Sequence, residues 1–188
     1  MNNKKSFANV GQFTTRAEGD DLIIEGYFAV FNSLYERWPG YFEKIDPEAF
    51  DGALDEDVKS LIDHDTAKVL ARTGAGTLEL KTDDHGLWGK ILINSKDQEA
   101  VNLYERVKRR DVYQCSFGFD IIEEETDYKD TKTVVTIKKV KLYEVSIVTF
   151  PRYEETEVQA RKKDFERAKE RRREIWRSKA IKKLKGVI

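Results

Sequence analysis

The chain has 188 residues, which suits one domain, or one domain with a tail, and a substantial core. Charged side chains make up 37% of it, well above the roughly 25% of an average globular domain, so one segment should be a solvated, charge-rich helix. A single cysteine, Cys115, excludes an internal disulfide and a multi-cysteine metal site. The sequence contains neither a secretory signal nor an apolar run of about 18 residues, so we expect a soluble intracellular protein.

Most of the chain before residue 153 has the pattern of β-strands. Residues 32–45 form a predicted loop with a turn at Pro39-Gly40. Apolar and aromatic runs bounded by turn residues predict the strands Leu22–Phe31 (with Gly26 a candidate bulge), Val58–Ile62, Thr77–Lys81, Leu87–Ile93, Val112–Ile122, Thr133–Val140 and Leu142–Phe150.

Two helices are predicted within this strand-rich part. Asp46 followed by Pro47 is a typical start for a short helix. Ser95 is the predicted cap of a longer helix that ends near Arg110 and buries one stripe of side chains, namely Ala100, Leu103, Tyr104 and Val107. Because helices rarely separate the strands, a barrel or sandwich is favoured over a doubly wound parallel sheet.

The C-terminal segment differs in charge from the rest. Residues 161–188 hold 13 basic and 4 acidic side chains, while the remainder holds 21 basic and 31 acidic ones. We therefore expect a main domain over residues 1–153 and a basic helical tail over residues 154–188. Such a tail is either a solvated helix or a segment that meets an acidic partner. Nucleic-acid binding is not expected, because the run Arg171-Arg172-Arg173 lacks interleaved aromatic residues.

Three polar residues interrupt apolar strands and are candidates for catalysis. His64 ends one strand, and is either a structural histidine or a general base. Glu144 is the only charge in Leu142–Phe150, and needs either a salt bridge or an imidazole as its partner. Ser116 is either structural or a nucleophile. Cys115 is an alternative nucleophile, although neighbouring strand residues point to opposite faces.

Longer motifs extend this pattern. Ile62-Asp63-His64-Asp65, then Ser116-Phe117-Gly118-Phe119 after a helix, then Leu142–Pro151 follow one another in order. Over roughly residues 24–161 the chain thereby resembles the HK97-type prohead proteases of tailed bacteriophages. Asp63, Ala71 and Arg152 depart from this family's usual Asn, Gly and Ala.

The resemblance implies a fold and a set of site residues. The fold is like that of the herpesvirus assemblins, an antiparallel β-barrel flanked by helices. The family's serine nucleophile and histidine base fall on Ser116 and His64, while Glu144 takes the place of the third assemblin residue, a second histidine. Assemblins form their oxyanion hole with an arginine pair after that third residue, so Arg152 is a hypothetical oxyanion contributor here. No cofactor and no metal are expected.

The resemblance also implies a function. The protein would be a serine endopeptidase that cleaves scaffolding protein, or the scaffolding segment of the major capsid protein, and itself, inside the immature capsid in the host cytoplasm. Its partners would be those two proteins and, as in the assemblins, a second copy of the chain. The basic tail would then be either a solvated helix or an encapsidation or scaffold-docking segment trimmed by self-cleavage. A non-enzymatic assembly protein that binds capsid or scaffold is the alternative.

Overall fold

A computed structural model describes residues 5–9, 13–18, 21–129, 131–150 and 155–184, with side chains described over 13–18, 21–129, 131–150 and 166–183. The described chain is mostly β-structure, as predicted. Its helices are α1 (Gln98–Arg109) and α2 (Glu155–Leu184). Its strands are β1 (Lys5–Asn9), β2 (Phe13–Glu18), β3 (Asp21–Val30), β4 (Tyr35–Trp38), β5 (Tyr41–Ile45), β6 (Lys59–Ile62), β7 (Asp65–Arg72), β8 (Leu78–Thr82), β9 (Gly86–Ile93), β10 (Gln114–Tyr128) and β11 (Thr133–Val148).

Strand β11 is the centre of the larger sheet. One edge of it pairs antiparallel with β10 along almost its whole length. Its other edge is divided between two short parallel strands, since β5 pairs with Thr133–Ile137 and β6 pairs with Glu144–Ile147. Strands β1, β4 and β7 extend this sheet outwards from β10, β5 and β6. Three distant segments, β6, β10 and β11, thus lie side by side.

The second sheet has four strands in the order β2-β3-β9-β8, all antiparallel. Among the described strands the two sheets do not close on each other, so the prediction of an antiparallel barrel is wrong in that respect. The physical reason lies in β11. Its second edge pairs with two short parallel strands, β5 and β6. The strands next to these in the sheet, β4 and β7, do not pair with the smaller sheet.

The alternation of side chains along β10 and β11 separates the core from a polar face. Phe117 of β10 and Val145 and Ile147 of β11 are fully buried in the main hydrophobic cluster, together with Phe28 of β3. Burying a side chain of this size contributes about 1.5–3 kcal/mol. The strand residues that alternate with these, such as Ser116 next to Phe117, therefore face the opposite side of the larger sheet.

Helix α1 confirms the predicted buried stripe, which consists of Ala100, Leu103, Tyr104 and Val107. Its cap is Asp97 rather than Ser95. The Asp97 carboxylate accepts the N–H groups of Glu99 and Ala100 at 3.0 and 3.3 Å, so the helix begins two residues later than the sequence suggested.

The predicted loop over residues 32–45 is wrong, since β4 and β5 lie there. Charged residues concealed these strands from the pattern. Glu43 is buried in β5 and accepts a hydrogen bond from Arg37 of β4 at 2.9 Å. The turn at Pro39-Gly40 is confirmed, with Gly40 in the left-handed region at φ 77°.

The short helix predicted after Asp46 is also wrong, because residues 47–54 form turns. The Asp46 carboxylate accepts the Glu48 N–H at 3.1 Å and pairs with Lys138 of β11 at 2.6 Å, which ties the segment to the sheet. The two strands predicted over residues 133–150 run as one, β11. Gly26 pairs regularly, and the irregularity in β3 falls between Tyr27 and Ala29.

The tail is helical, as predicted, and its described part contacts the larger sheet. Ala168 of α2 is buried against Tyr41 and Val135. Arg172 donates to the carbonyl oxygens of Gly40 and Thr131 at 3.2 and 3.1 Å. The helix is thereby attached near the β4–β5 turn. In the described residues, neither helix is long and apolar enough to cross a membrane.

An acidic residue, Asp57, holds the base of the β6–β7 hairpin together. Its carboxylate pairs with Lys59 at 2.9 Å, and it also accepts the Gly74 N–H at 3.0 Å and the Arg72 guanidinium at 2.5 Å. These hydrogen bonds lower the pKa of Asp57 to about 2, and the one from Lys59 has the largest effect. The hairpin matters because the turn between its strands carries His64.

This lowered pKa makes the fold sensitive to acid. An aspartate with an unfolded-state pKa of about 3.9 stabilises the fold above that pH, and this contribution is lost as the pH falls towards 2. Asp57→Asn should therefore be less stable than wild type near neutral pH and lose less stability upon acidification. Denaturant unfolding at several pH values measures this, with the exposed Asp55→Asn as control. Equal pH dependence of Asp57→Asn and wild type would contradict it.

Candidate active site

His64 lies in a strained turn at the end of β6. Both Asp63 and His64 have a left-handed backbone, with φ of 49° and 60°, which non-glycine residues seldom adopt. The turn is fastened to the end of β11. Asp63 donates its N–H to the Ile147 carbonyl at 3.0 Å, and its carboxylate accepts the Thr149 N–H at 2.7 Å. These contacts offset the strain and fix the backbone position from which the His64 side chain projects.

Glu144 contacts this imidazole directly. Its Oε1 lies 2.6 Å from His64 Nδ1, and the side chains are only 9% and 13% exposed. A carboxylate accepts hydrogen bonds only, so the neutral imidazole carries its proton on Nδ1 and leaves Nε2 as an acceptor. Lys59 pairs with Glu144 in the strand register, but its ammonium group contacts Asp57 instead. The partner of this buried carboxylate is thus an imidazole, as the triad hypothesis requires.

Two further residues hold the carboxylate in place. Ser146 lies on the same face of β11 and donates its hydroxyl to Glu144 Oε2 at 2.6 Å. Gly118 stands opposite Glu144 on β10, and a Cβ atom there would overlap Glu144 Oε1. The Glu144 side chain thus occupies the space that the absent side chain of Gly118 leaves open.

Ser116 lies on the same face of the sheet, directly opposite Ser146 and two residues from Gly118. Directly opposed residues of antiparallel strands have Cα atoms about 4.5–5.5 Å apart. Ser116 therefore lies beside Ser146, on the face of the sheet that carries Glu144. It is 1% exposed. His64 Nε2 is buried and has no hydrogen-bond partner in the described part of the chain, so no Ser116–Nε2 hydrogen bond is formed.

The remaining candidates are Cys115 and Arg152. Cys115 is fully buried on the opposite face, where its thiol contacts the carbonyl oxygens of Tyr27 and Phe28 at 3.3 and 3.5 Å. His85, the other histidine of the chain, is exposed in a turn, with its ring against Tyr27. Arg152, the hypothetical oxyanion residue, lies outside the described residues.

Sequence reasoning did not identify Ser146. Its signal is its spacing, because residues two apart in a strand share a face, and a buried carboxylate needs a donor there. The contact between Asp63 and Thr149 had no comparable signal, since it joins residues 86 positions apart.

A sequence model of the caudovirus prohead serine proteases matches residues 11–171. The chain belongs to this family. The resemblance seen in the sequence is thereby confirmed, over a longer stretch than the motifs covered. No curated protein sequence matches the chain.

The fold is similar to that of the bacteriophage T4 capsid assembly protease gp21. The likeness covers 80% of this chain and all of that one, at 13% sequence identity and with a TM-score of 0.51. At this identity the comparison shows a shared fold and nothing about individual residues. The described chain thus has a mostly β fold with two helices, similar to that of gp21.

The narrow space at Gly118 yields a direct test of the Glu144 geometry. Gly118→Ala should push the carboxylate away from His64 Nδ1 and lower the rate of peptide cleavage by about 100-fold or more, as a misplacement near 1 Å does. Initial rates on a capsid- or scaffold-derived peptide measure the effect, and a crystal structure of the variant locates the carboxylate.

The matched control is Gly76→Ala. Gly76 has a φ of 69° and nothing within 4 Å of an added Cβ, so alanine there strains the backbone by about 1–2 kcal/mol without touching the site. This variant should cleave at the wild-type rate despite a lower melting temperature. Wild-type activity of Gly118→Ala would contradict the assigned role of the glycine.

Proposed function

We propose that the protein is a serine endopeptidase in which Ser116 is the nucleophile, His64 the general base and Glu144 the group that orients the base. The observation that carries this proposal is the 2.6 Å contact between Glu144 and His64 Nδ1, which leaves Nε2 as the basic nitrogen. Ser116 on the neighbouring strand supplies the hydroxyl on that same face. Catalytic hydrogen bonds are often long without substrate, so the Ser116–Nε2 bond forms as substrate binds.

The chemistry follows the acyl-enzyme route. His64 Nε2 takes the proton of Ser116 Oγ while that oxygen attacks the scissile carbonyl carbon. The imidazolium, stabilised by the Glu144 carboxylate, then protonates the leaving amine as the peptide C–N bond breaks. A water molecule then transfers a proton to His64 as it attacks the carbonyl carbon of the acyl-enzyme. The bond from this carbon to Ser116 Oγ breaks, Oγ takes the proton back from His64, and the acyl group leaves as a carboxylic acid. Each oxyanion donor contributes roughly 2.7–4 kcal/mol, and Arg152 remains the hypothetical contributor beside backbone N–H groups.

The substrate is proposed from the family. A prohead protease acts while the capsid is immature, so the peptide bonds it meets are those of scaffolding protein or of the scaffolding segment of the major capsid protein. We place this activity inside the immature capsid, in the host cytoplasm, and include self-cleavage and homodimer formation. The protease domain would cover residues 1–153, and the basic tail, residues 154–188, would be a docking segment removed by self-cleavage.

Co-expression with the neighbouring capsid and scaffold genes tests the nucleophile. Wild type should process its partners and itself, whereas Ser116→Ala should lower the rate by about 10⁴-fold or more, because no other oxygen replaces Oγ. Mass spectrometry of the particles identifies the cleaved bonds and any loss of the tail.

Cys115→Ala is the matched control, one residue away but buried on the opposite face. It should retain cleavage, which separates a serine from a cysteine nucleophile. Cleavage that persists in Ser116→Ala and stops in Cys115→Ala would contradict the proposal. Absence of cleavage in wild type, together with failure to react with a serine-directed probe, would favour the non-enzymatic assembly protein.

A further inference from the structure

We propose that Ser146 is a positioning residue whose hydroxyl holds the Glu144 carboxylate against His64. This inference rests on the proposed function, because it gives Ser146 a role in the same reaction. Ser146 acts through Glu144 and therefore is not itself a catalytic residue.

The contacts of the carboxylate support this role. Glu144 Oε1 lies 2.6 Å from His64 Nδ1, and Oε2 accepts the Ser146 hydroxyl at 2.6 Å. Each oxygen thus has its own donor, so rotation of the carboxylate about its terminal bond would break both contacts. Ser146 is fully buried and Glu144 is 7% exposed, so little water is available to replace the hydroxyl as a donor.

The chemical nature of the donor also matters. A hydroxyl is neutral, so it orients the carboxylate without neutralising the charge that stabilises the imidazolium. A cation at the same distance would compete with His64 for this charge. Lys59, which pairs with Glu144 in the register, is drawn away by Asp57. The site thereby keeps the full negative charge of Glu144 for the imidazole.

The kinetic consequence is specific. Loss of the Ser146 hydroxyl should lower kcat by about 10- to 100-fold, the range typical of a lost supporting contact, and leave KM within about twofold. The exchange of the His64 Nδ1 proton with water should accelerate in parallel, because its acceptor is no longer fixed.

The experiment compares Ser146→Ala with Ser60→Ala in the full chain. Ser60 is also fully buried, one strand away on β6, and its Oγ has no hydrogen-bond partner among the described residues. Both changes remove one buried oxygen atom, but only Ser146→Ala removes a hydrogen bond to the Glu144 carboxylate. Steady-state cleavage of a scaffold-derived peptide gives kcat and KM. Proton NMR of the Nδ1 resonance is recorded with Ser116→Ala added, which prevents self-cleavage.

A second pair of variants separates the effect of the hydroxyl from the effect of side-chain volume. Thr and Val have nearly the same shape, and Ser146→Thr keeps a hydroxyl that Ser146→Val lacks. Ser146→Thr should have at least five times the kcat of Ser146→Val. Equal kcat in this pair, or wild-type kcat and proton exchange in Ser146→Ala, would overturn the proposal. So would a Ser146→Ala chain that fails to fold while Ser60→Ala folds, since the hydroxyl would then be structural.

Failure of this inference is distinguishable from failure of the proposed function. If Ser146→Ala accelerates exchange of the Nδ1 proton but Ser116→Ala cleaves as well as wild type, the nucleophile is wrong and the positioning role stands. If Ser116→Ala is inactive and Ser146→Ala is unchanged in kcat and in proton exchange, the nucleophile stands and the positioning role of Ser146 is wrong.

Discussion

The buried carboxylate of Glu144 is the constraint on which the site depends. An ionised carboxylate away from water costs several kcal/mol unless donors surround it. Here one oxygen meets the His64 imidazole and the other meets the Ser146 hydroxyl. Gly118 leaves the space that the side chain occupies. Removal of any one of these features leaves the carboxylate without a donor or displaces it, so these four residues, from two strands and the β6–β7 turn, act as one unit.

The topology of the larger sheet provides this arrangement. Strand β11 carries Glu144 between β10, which carries Gly118 and Ser116, and β6, which ends just before His64. Because β6 is parallel to β11, its final residue lies beside Ile147, and the following turn brings the imidazole back over the carboxylate. The other face of the same strands is fully apolar at Phe117 and Val145, so the core fixes the sheet while the polar face remains available for chemistry.

Local patterns allowed much of this to be predicted. The α1 stripe and most strands of the body follow directly from side-chain periodicity, and Glu144 was recognisable as the only charge in an apolar run. The parallel pairing of β5 and β6 with β11 could not be predicted, because it joins segments distant in sequence. Strand β5 was missed because Glu43 finds its partner, Arg37, only across the β4–β5 pair. Ser146 shares a face of β11 with Glu144 by its spacing, but it was missed because the contact between them also depends on the Glu144 rotamer.

If Glu144 makes His64 a base for Ser116, the rate of covalent labelling with a fluorophosphonate reports this directly. We expect an adduct on Ser116, located by peptide mass spectrometry. Glu144→Gln, which keeps the shape of the side chain, should slow labelling by about 10²- to 10⁴-fold, because an amide neither stabilises the imidazolium nor fixes the tautomer. Labelling of another residue, or an unchanged rate in Glu144→Gln, would contradict it.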